Sequence, residues 1–189
     1  IKNLFFILIF LFCLFATIKY HQRFNENRKF HDLQDVNFDL SINAEKLNKN
    51  LLGLKWITPE KFINDPNAEI LFLSKVQKIL MEDKRNKMIL TNYLFFSANL
   101  KESLNAPSRT FTLDGASFPI KGNKHYASYK NLIINIIKKN KISVIYLLDT
   151  GKIDDTYVYD YIDKNCFNEV HILEQFKSYE LKECSEIKG

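Results

Sequence analysis

The segment "HYASYKNLIINIIKKNKISVIYLLD", residues 125–149, places a helix pattern directly before a strand pattern. Apolar side chains in the first part recur at spacings of three and four and share one helical face: Tyr126, Tyr129, Leu132, Ile133, Ile136 and Ile137. The second part, residues 142–149, is apolar and β-branched, as expected for a strand that is covered on both sheet faces. The segment therefore predicts a helix packed on a sheet beside a central strand.

A second helix and strand precede this segment. In "DPNAEILFLSKVQKILMEDKRN", residues 65–86, we expect Asp65 to cap a helix, Pro66 to occupy its first position and Glu69 to favour its positive end. One apolar stripe runs along this helix: Ile70, Leu73, Val76, Ile79 and Leu80. "KMILTNY", residues 87–93, follows as a short buried strand.

Shorter patterns complete the soluble part. They predict a strand at 51–58 with Trp56 as a core anchor, helices in 94–104 and 154–165, and a strand and turn at 108–115. "EVHILEQF" and "SYELKEC" alternate near the end and predict a hairpin across "QFKS". Strands separated by helices predict βαβ units. We expect a small three-layer α/β domain of Rossmann-like character, with a mainly parallel sheet and an antiparallel edge at the C-terminus.

The segment "LFFILIFLFCLFATI", residues 4–18, has no charged residue and is bracketed by Lys2 and Lys19. Spanning a bilayer takes about 20 residues, which residues 1–20 supply if both lysines extend toward the headgroups. A cleaved signal peptide is the main alternative, but no A-x-A pattern follows. The chain does not begin with Met, so we expect a fragment whose upstream part holds further membrane helices. The predicted parts are a transmembrane helix at 1–20, a juxtamembrane helix and connector at 21–50, and a soluble α/β domain at 51–189.

The stretch after this run, "KYHQRFNENRKFHDL" at 19–33, is basic and has no Gly or Pro. If the helix continues, His21, Asn25 and Arg28 share one face, with Lys29 beside them. Such a face at headgroup depth could bind lipid phosphate, and ordinary interfacial anchoring is the alternative. The local excess of Lys and Arg, taken alone, favours a cytoplasmic soluble part.

Polar residues end two of the predicted strands. Asn92 and Tyr93 follow one strand and Asp149 follows another, at the sheet edge where α/β proteins bind ligands. Asp149 could bind a metal or ribose hydroxyl, or act as a general base. The alternative is that Asn92 and Asp149 cap the turns that follow.

Several function classes lack their residue patterns. The chain has no G-x-x-x-x-G-K-[ST], G-x-G-x-x-G, H-E-x-x-H or C-x-x-C, so we expect neither a cofactor nor a metal site. The formal net charge is +5, but the Lys and Arg residues are scattered among 22 acidic residues. They form no stripe of basic residues interleaved with aromatic ones, so we expect no nucleic-acid partner. Cys166 and Cys184 could pair in an oxidising compartment, although two unpaired thiols are the simpler expectation.

Four phrases carry a family resemblance: "YHQRFNENRKF", "LLGLKWITPE", "KMILTNY" and "YKNLIINIIKKNKISVIYLL". Together they resemble the C-terminal end of bacterial multi-pass GT-C-type membrane glycosyltransferases of the lipid-phosphosugar mannosyltransferase kind. The resemblance implies a last membrane helix in the inner membrane, followed by a periplasmic α/β domain. It also implies sugar transfer from a polyprenyl-phosphate donor, with the catalytic acids in loops between early membrane helices and thus outside this chain.

Two other functions remain open from the sequence. One is a single-pass, membrane-anchored α/β module that binds a partner protein or a small ligand. The other is a nucleotide-using α/β enzyme, which would lack the usual phosphate-binding glycines.

Overall fold

The computed structural model describes residues 2–23, 37–58, 62, 65–108, 118–149 and 154–184. Its helices are α1 (Lys2–His21), α2 (Pro66–Glu82), α3 (Phe96–Leu100), α4 (Tyr126–Asn140) and α5 (Thr156–Tyr159). Its strands are β1 (Ile42–Asn43), β2 (Lys55–Trp56), β3 (Lys87–Leu90), β4 (Val144–Leu148), β5 (Phe167–Leu173) and β6 (Phe176–Leu181). The predicted α/β class with an N-terminal apolar helix is confirmed.

The main sheet has the strand order β3-β4-β6-β5. Strands β3 and β4 are parallel, whereas β4–β6 and β6–β5 are antiparallel. The C-terminal hairpin is therefore confirmed, although its turn lies at residues 174–175 and "FKS" belongs to β6. The prediction of a mainly parallel sheet is wrong for the described strands. The reason is that β6 of the hairpin, and not a further parallel strand, pairs with the free side of β4.

The predicted strand at 51–58 also differs from the structure. Only Lys55 and Trp56 are extended, and they pair with Asn43 and Ile42 in a separate two-stranded sheet. Gly53 before them has a φ of +85°, which interrupts an extended chain. Trp56 is half-buried and packs against the margin of the core, so the predicted core anchor is met only in part.

Each face of the main sheet has its own hydrophobic core. On one face, Ile133 and Ile137 of α4 pack in a cluster with Ile145 and Leu147 of β4. On the other face, a second cluster joins the predicted stripe of α2 to the alternate residues of β3 and β4: Ile70, Leu73, Val76, Leu80, Ile89, Val144, Tyr146 and Leu148. This alternation explains why residues 88–90 of β3 and all of β4 are buried and apolar or aromatic.

The start of α2 follows its predicted cap. Oδ1 of Asp65 accepts a hydrogen bond of 2.9 Å from the backbone N–H of Ala68, and Pro66 occupies the first helical position. Such a cap contributes about 1 kcal/mol to helix stability.

Helix α1 leaves its apolar side chains exposed. Large apolar side chains between residues 4 and 18 are 43–71% exposed, and each would gain about 1.5–3 kcal/mol on leaving water. An 18-residue window within Asn3–His21 has a mean hydropathy of 2.1. By length and composition, α1 can cross a membrane.

A disulfide joins Cys166, before β5, to Cys184, after β6, with a Cα–Cα distance of 5.5 Å. The sequence alone favoured two unpaired thiols, and this expectation is wrong. The hairpin is the reason, because its antiparallel strands bring residues 18 positions apart to the same end.

Candidate functional site at the carboxyl edge of the sheet

The ends of β3 and β4 bring two predicted site residues to one edge. Leu90 lies opposite Leu147 in the parallel pair, so Asn92 and Asp149 leave the sheet at the same level. The backbone N–H of Asp149 donates a 2.8 Å hydrogen bond to the carbonyl oxygen of Gln175, in the turn between β5 and β6. This edge is where α/β sheets commonly bind ligands.

Asn92 occupies an unusual position at this edge. Its Oδ1 is buried and accepts no hydrogen bond within the described residues. The predicted cap is instead made by Thr91, whose Oγ1 accepts a 3.1 Å hydrogen bond from the backbone N–H of Tyr93. Leaving a buried acceptor without a partner costs about 1–3 kcal/mol. Asn92 is therefore an open hydrogen-bonding position at the edge.

Tyr93, the third strand-end candidate, has a structural contact. Its hydroxyl donates a hydrogen bond to Oε1 of Glu69, which is only 2% exposed. Nε1 of Trp56 donates to Oε2 of the same carboxylate at 2.6 Å. The Tyr93 and Trp56 rings stack with centroids 6.5 Å apart. Glu69 thus links the small sheet to the edge of the main sheet, a contact that the sequence analysis did not anticipate.

A charged network lies on the α4 side of the same sheet end. Lys177, opposite Leu147 in the strand register, forms ion pairs with Asp155 and with Glu169, the latter at 3.1 Å. Two hydroxyls complete it, since Tyr179 donates to Asp155 and Tyr159 donates to Glu169, both at 2.6 Å. The sequence analysis did not anticipate these contacts, which depend on the hairpin register.

The network keeps its three charges at neutral pH. Burial raises the pKa of the Asp155 carboxyl, but hydrogen bonds from Lys177 and Tyr179 outweigh burial and lower it. The hydrogen bond from Tyr159 lowers the pKa of Glu169. Burial lowers the pKa of Lys177, and the two carboxylates reverse the shift and raise it. A paired, charged lysine is a poor nucleophile and a permanently ionised acid is a poor proton donor, so the network is best explained as a structural lock.

A polar cavity of about 460 Å³ opens beside the disulfide, near the start of α4. Its lining includes Lys121, Lys130, Asp160 and Asp163. Asp160 accepts a 3.0 Å hydrogen bond from the backbone N–H of Lys121 and lies 3.5 Å from its Nζ. The described lining of the cavity therefore carries both signs of charge.

The membrane-proximal candidates are only partly described. His21 is the last residue of α1 and is exposed. Asn25, Arg28 and Lys29 lie outside the described residues, so the predicted face stays a prediction. Among the residues that the structure describes, no group of His, Cys, Asp and Glu could hold a metal ion.

No protein-family model, curated protein or solved structure matches the chain.

Proposed function

We propose that the chain is the C-terminal part of a polytopic protein of the bacterial inner membrane. Helix α1 anchors it in the membrane, and the α/β domain that follows lies outside the membrane. In this proposal the domain faces the periplasm. One combination of features carries the proposal: an apolar helix of membrane-spanning length precedes a domain that contains a disulfide. Disulfides persist in oxidising compartments and are rare in the cytoplasm. This argument outweighs the local excess of Lys and Arg after α1.

We further propose that the whole protein is a GT-C-type glycosyltransferase that uses a polyprenyl-phosphate sugar donor. The resemblance of the four quoted phrases supports this activity. Among the described residues, the charged groups of the network at the sheet edge pair with one another and are therefore poor nucleophiles and proton donors. This fits a domain with an accessory role and not a catalytic one. A Rossmann-like, three-layer arrangement is the finer proposal for the domain, supported by separate α2 and α4 cores on opposite sheet faces.

Reporter fusions test the proposed orientation. Alkaline phosphatase, which needs disulfides and hence an oxidising compartment, is fused after residue 189, and a fluorescent protein that matures in the cytoplasm is fused at the same point in a matched strain. We expect phosphatase activity and no fluorescence. The reverse pattern would place the domain in the cytoplasm and overturn the proposal.

Sugar transfer tests the proposed activity. Membranes that contain the full reading frame are supplied with a radiolabelled polyprenyl-phosphate sugar, and the label in lipid and glycan products is counted. A matched form that ends after residue 23 lacks the soluble domain. We expect transfer by the full frame and reduced transfer by the shortened form. No transfer from any polyprenyl-phosphate donor would refute the glycosyltransferase.

A second candidate function is a single-pass anchored module that binds a small ligand or a partner. The buried Oδ1 of Asn92 without a hydrogen-bond partner among the described residues favours it. Asn92→Leu removes that acceptor at similar volume. If the edge binds a ligand, this variant loses binding while its unfolding midpoint stays the same or rises.

A further inference from the structure

Two leucines project from a turn at one end of the small sheet. Leu52 and Leu54 flank Gly53 between β1 and β2, and they are 74% and 58% exposed. Single exposed leucines are common on protein surfaces. Turns, however, usually carry polar residues, and here two aliphatic side chains stand on either side of the glycine.

The chain around this leucine turn is firmly held. The N–H of Leu54 donates to the carbonyl of Leu51 at 3.1 Å, and its own carbonyl accepts from Ala44 at 3.0 Å. Leu47 is 7% exposed and Leu51 packs beside it on the α2 core. The exposure of Leu52 and Leu54 is therefore a built feature of the fold.

Lysines surround the leucine turn. Lys46 and Lys49 line a shallow cavity together with Leu52 and one carboxylate, Glu45, and Lys55 directly follows Leu54. The ammonium of Lys55 donates to Oδ1 of Asn43 at 2.8 Å. Because this partner is a neutral amide, the Lys55 charge remains available to an anion. Leucine side chains beside lysines suit a bilayer surface, because the leucines can contact acyl chains while the lysines contact the anionic headgroups above them.

The position of the turn in the chain supports the same partner. Residues 22–36 join α1 to the described domain, and a link of 15 residues reaches at most about 50 Å. If α1 spans a membrane, this link keeps the start of the domain, at residue 37, within about 50 Å of that membrane. Resting on this proposed anchoring, we propose that Leu52 and Leu54 insert into the interfacial layer of the bilayer, with Lys49 and Lys55 against anionic headgroups.

Depth measurements on the full chain test the insertion. The background variant is Cys13→Ala, because Cys13 is the one free thiol among the described residues. Leu52→Cys is labelled with an environment-sensitive fluorophore in vesicles of phosphatidylethanolamine and phosphatidylglycerol. Met81→Cys is the control, since Met81 is 53% exposed at the far end of α2. Quenching is measured with iodide in the water and with nitroxide lipids in the bilayer.

We expect the label at position 52 to be blue-shifted, quenched by nitroxide lipids and protected from iodide, while the label at position 81 behaves oppositely. Equal iodide quenching at both positions would leave the turn in water. Protection of position 52 from both quenchers would place it against protein. Either result overturns the proposal.

The lysine contribution has its own control. Lys49→Gln with Lys55→Gln should reduce nitroxide quenching at position 52 in vesicles that contain phosphatidylglycerol, and cause no change in phosphatidylcholine alone. Lys138→Gln with Lys139→Gln, at the end of α4, should cause no change in either. Unchanged quenching in the first pair would refute the headgroup contacts.

Retention on vesicles after an alkaline wash reports on the anchoring by α1 separately. A failure of the anchoring and a failure of the insertion can therefore be told apart.

Discussion

The hydroxyl of Tyr179 in β6 donates a 2.6 Å hydrogen bond to Oδ1 of Asp155, just before α5. Lys177 pairs with the other oxygen of the same carboxylate and with Glu169 of β5. Asp155 follows the carboxyl end of β4 and precedes α5. Its contact with Tyr179 therefore attaches the chain between β4 and α5 to β6.

Tyr179→Phe tests this lock. The Tyr179 side chain is fully buried, and a hydrogen bond to a charged group contributes about 1.5–3 kcal/mol to stability. We expect the free energy of unfolding to fall by about 2 kcal/mol in urea titrations of the full chain in detergent. Asn168→Ala, at an exposed position of β5, should lower it by much less. Equal losses in the two variants would show that the hydrogen bond from Tyr179 to Asp155 contributes nothing to the free energy of unfolding.

Acid should weaken the domain through Asp83. Burial raises the pKa of this carboxyl, but hydrogen bonds from Arg85 and Tyr146 prevail and lower it to about 2. A carboxyl with a lowered folded pKa stabilises the fold above its unfolded pKa of 3.8, and this stability is lost as the pH falls toward 2. The loss should be about 1 kcal/mol, because Arg85 is half exposed and solvent screens the pair.

The measurement for Asp83 is the urea midpoint at pH values from 5 to about 2. Asp83→Asn should flatten the decline over this range. Asp155 and Glu169, whose pKa values are also lowered, keep part of the slope in this variant. An unchanged slope in Asp83→Asn would contradict the assignment.

The disulfide should stabilise the hairpin. Cys166 and Cys184 are separated by 18 positions, and closing a loop of that size contributes about 3 kcal/mol in the chain-entropy model. We expect Cys166→Ser with Cys184→Ser to lower the free energy of unfolding by that amount, and reductant to have the same effect on the native chain. Cys13→Ala should leave it unchanged. Insensitivity of the native chain to reductant would argue against the bond.

Glu69 should contribute more to the stability of the domain than an ordinary residue in the first turn of a helix. Glu69→Leu leaves the half-buried donors of Trp56 and Tyr93 without this acceptor, at a cost of about 1 kcal/mol or more. Trp56 is the only tryptophan in the chain, so its fluorescence reports the unfolding midpoint directly. Glu69→Gln, which keeps one acceptor oxygen, should lose less. A stable Glu69→Leu variant would show that the donors find other partners.

Local patterns predicted the helices well. The stripe and cap of α2 follow from spacings within one helix. The face of α4 does too, except for Leu132, which is 45% exposed. The shared edge of Asn92 and Asp149 was also predictable, because strands joined through a helix run parallel.

Long-range partners were not predictable from spacing. Which strand pairs with β4 depends on the energies of competing sheets, and β6 occupies that place. Glu69 and Tyr93 lie 24 positions apart, and no periodicity connects them. The network around Lys177 needed the hairpin register, since a shift of one residue would turn every side chain to the other face.

Thiol labelling in spheroplasts, which lack a closed outer membrane, tests the central claim most directly. A membrane-impermeant maleimide polymer is added to the full chain before and after mild reduction, and each modified cysteine retards the protein in a gel. A periplasmic, disulfide-bonded domain predicts no shift before reduction and a shift of two polymers afterwards, with Cys166→Ser, Cys184→Ser cells unshifted throughout. A shift that requires permeabilisation of the inner membrane, or one that occurs without reduction, would contradict the account.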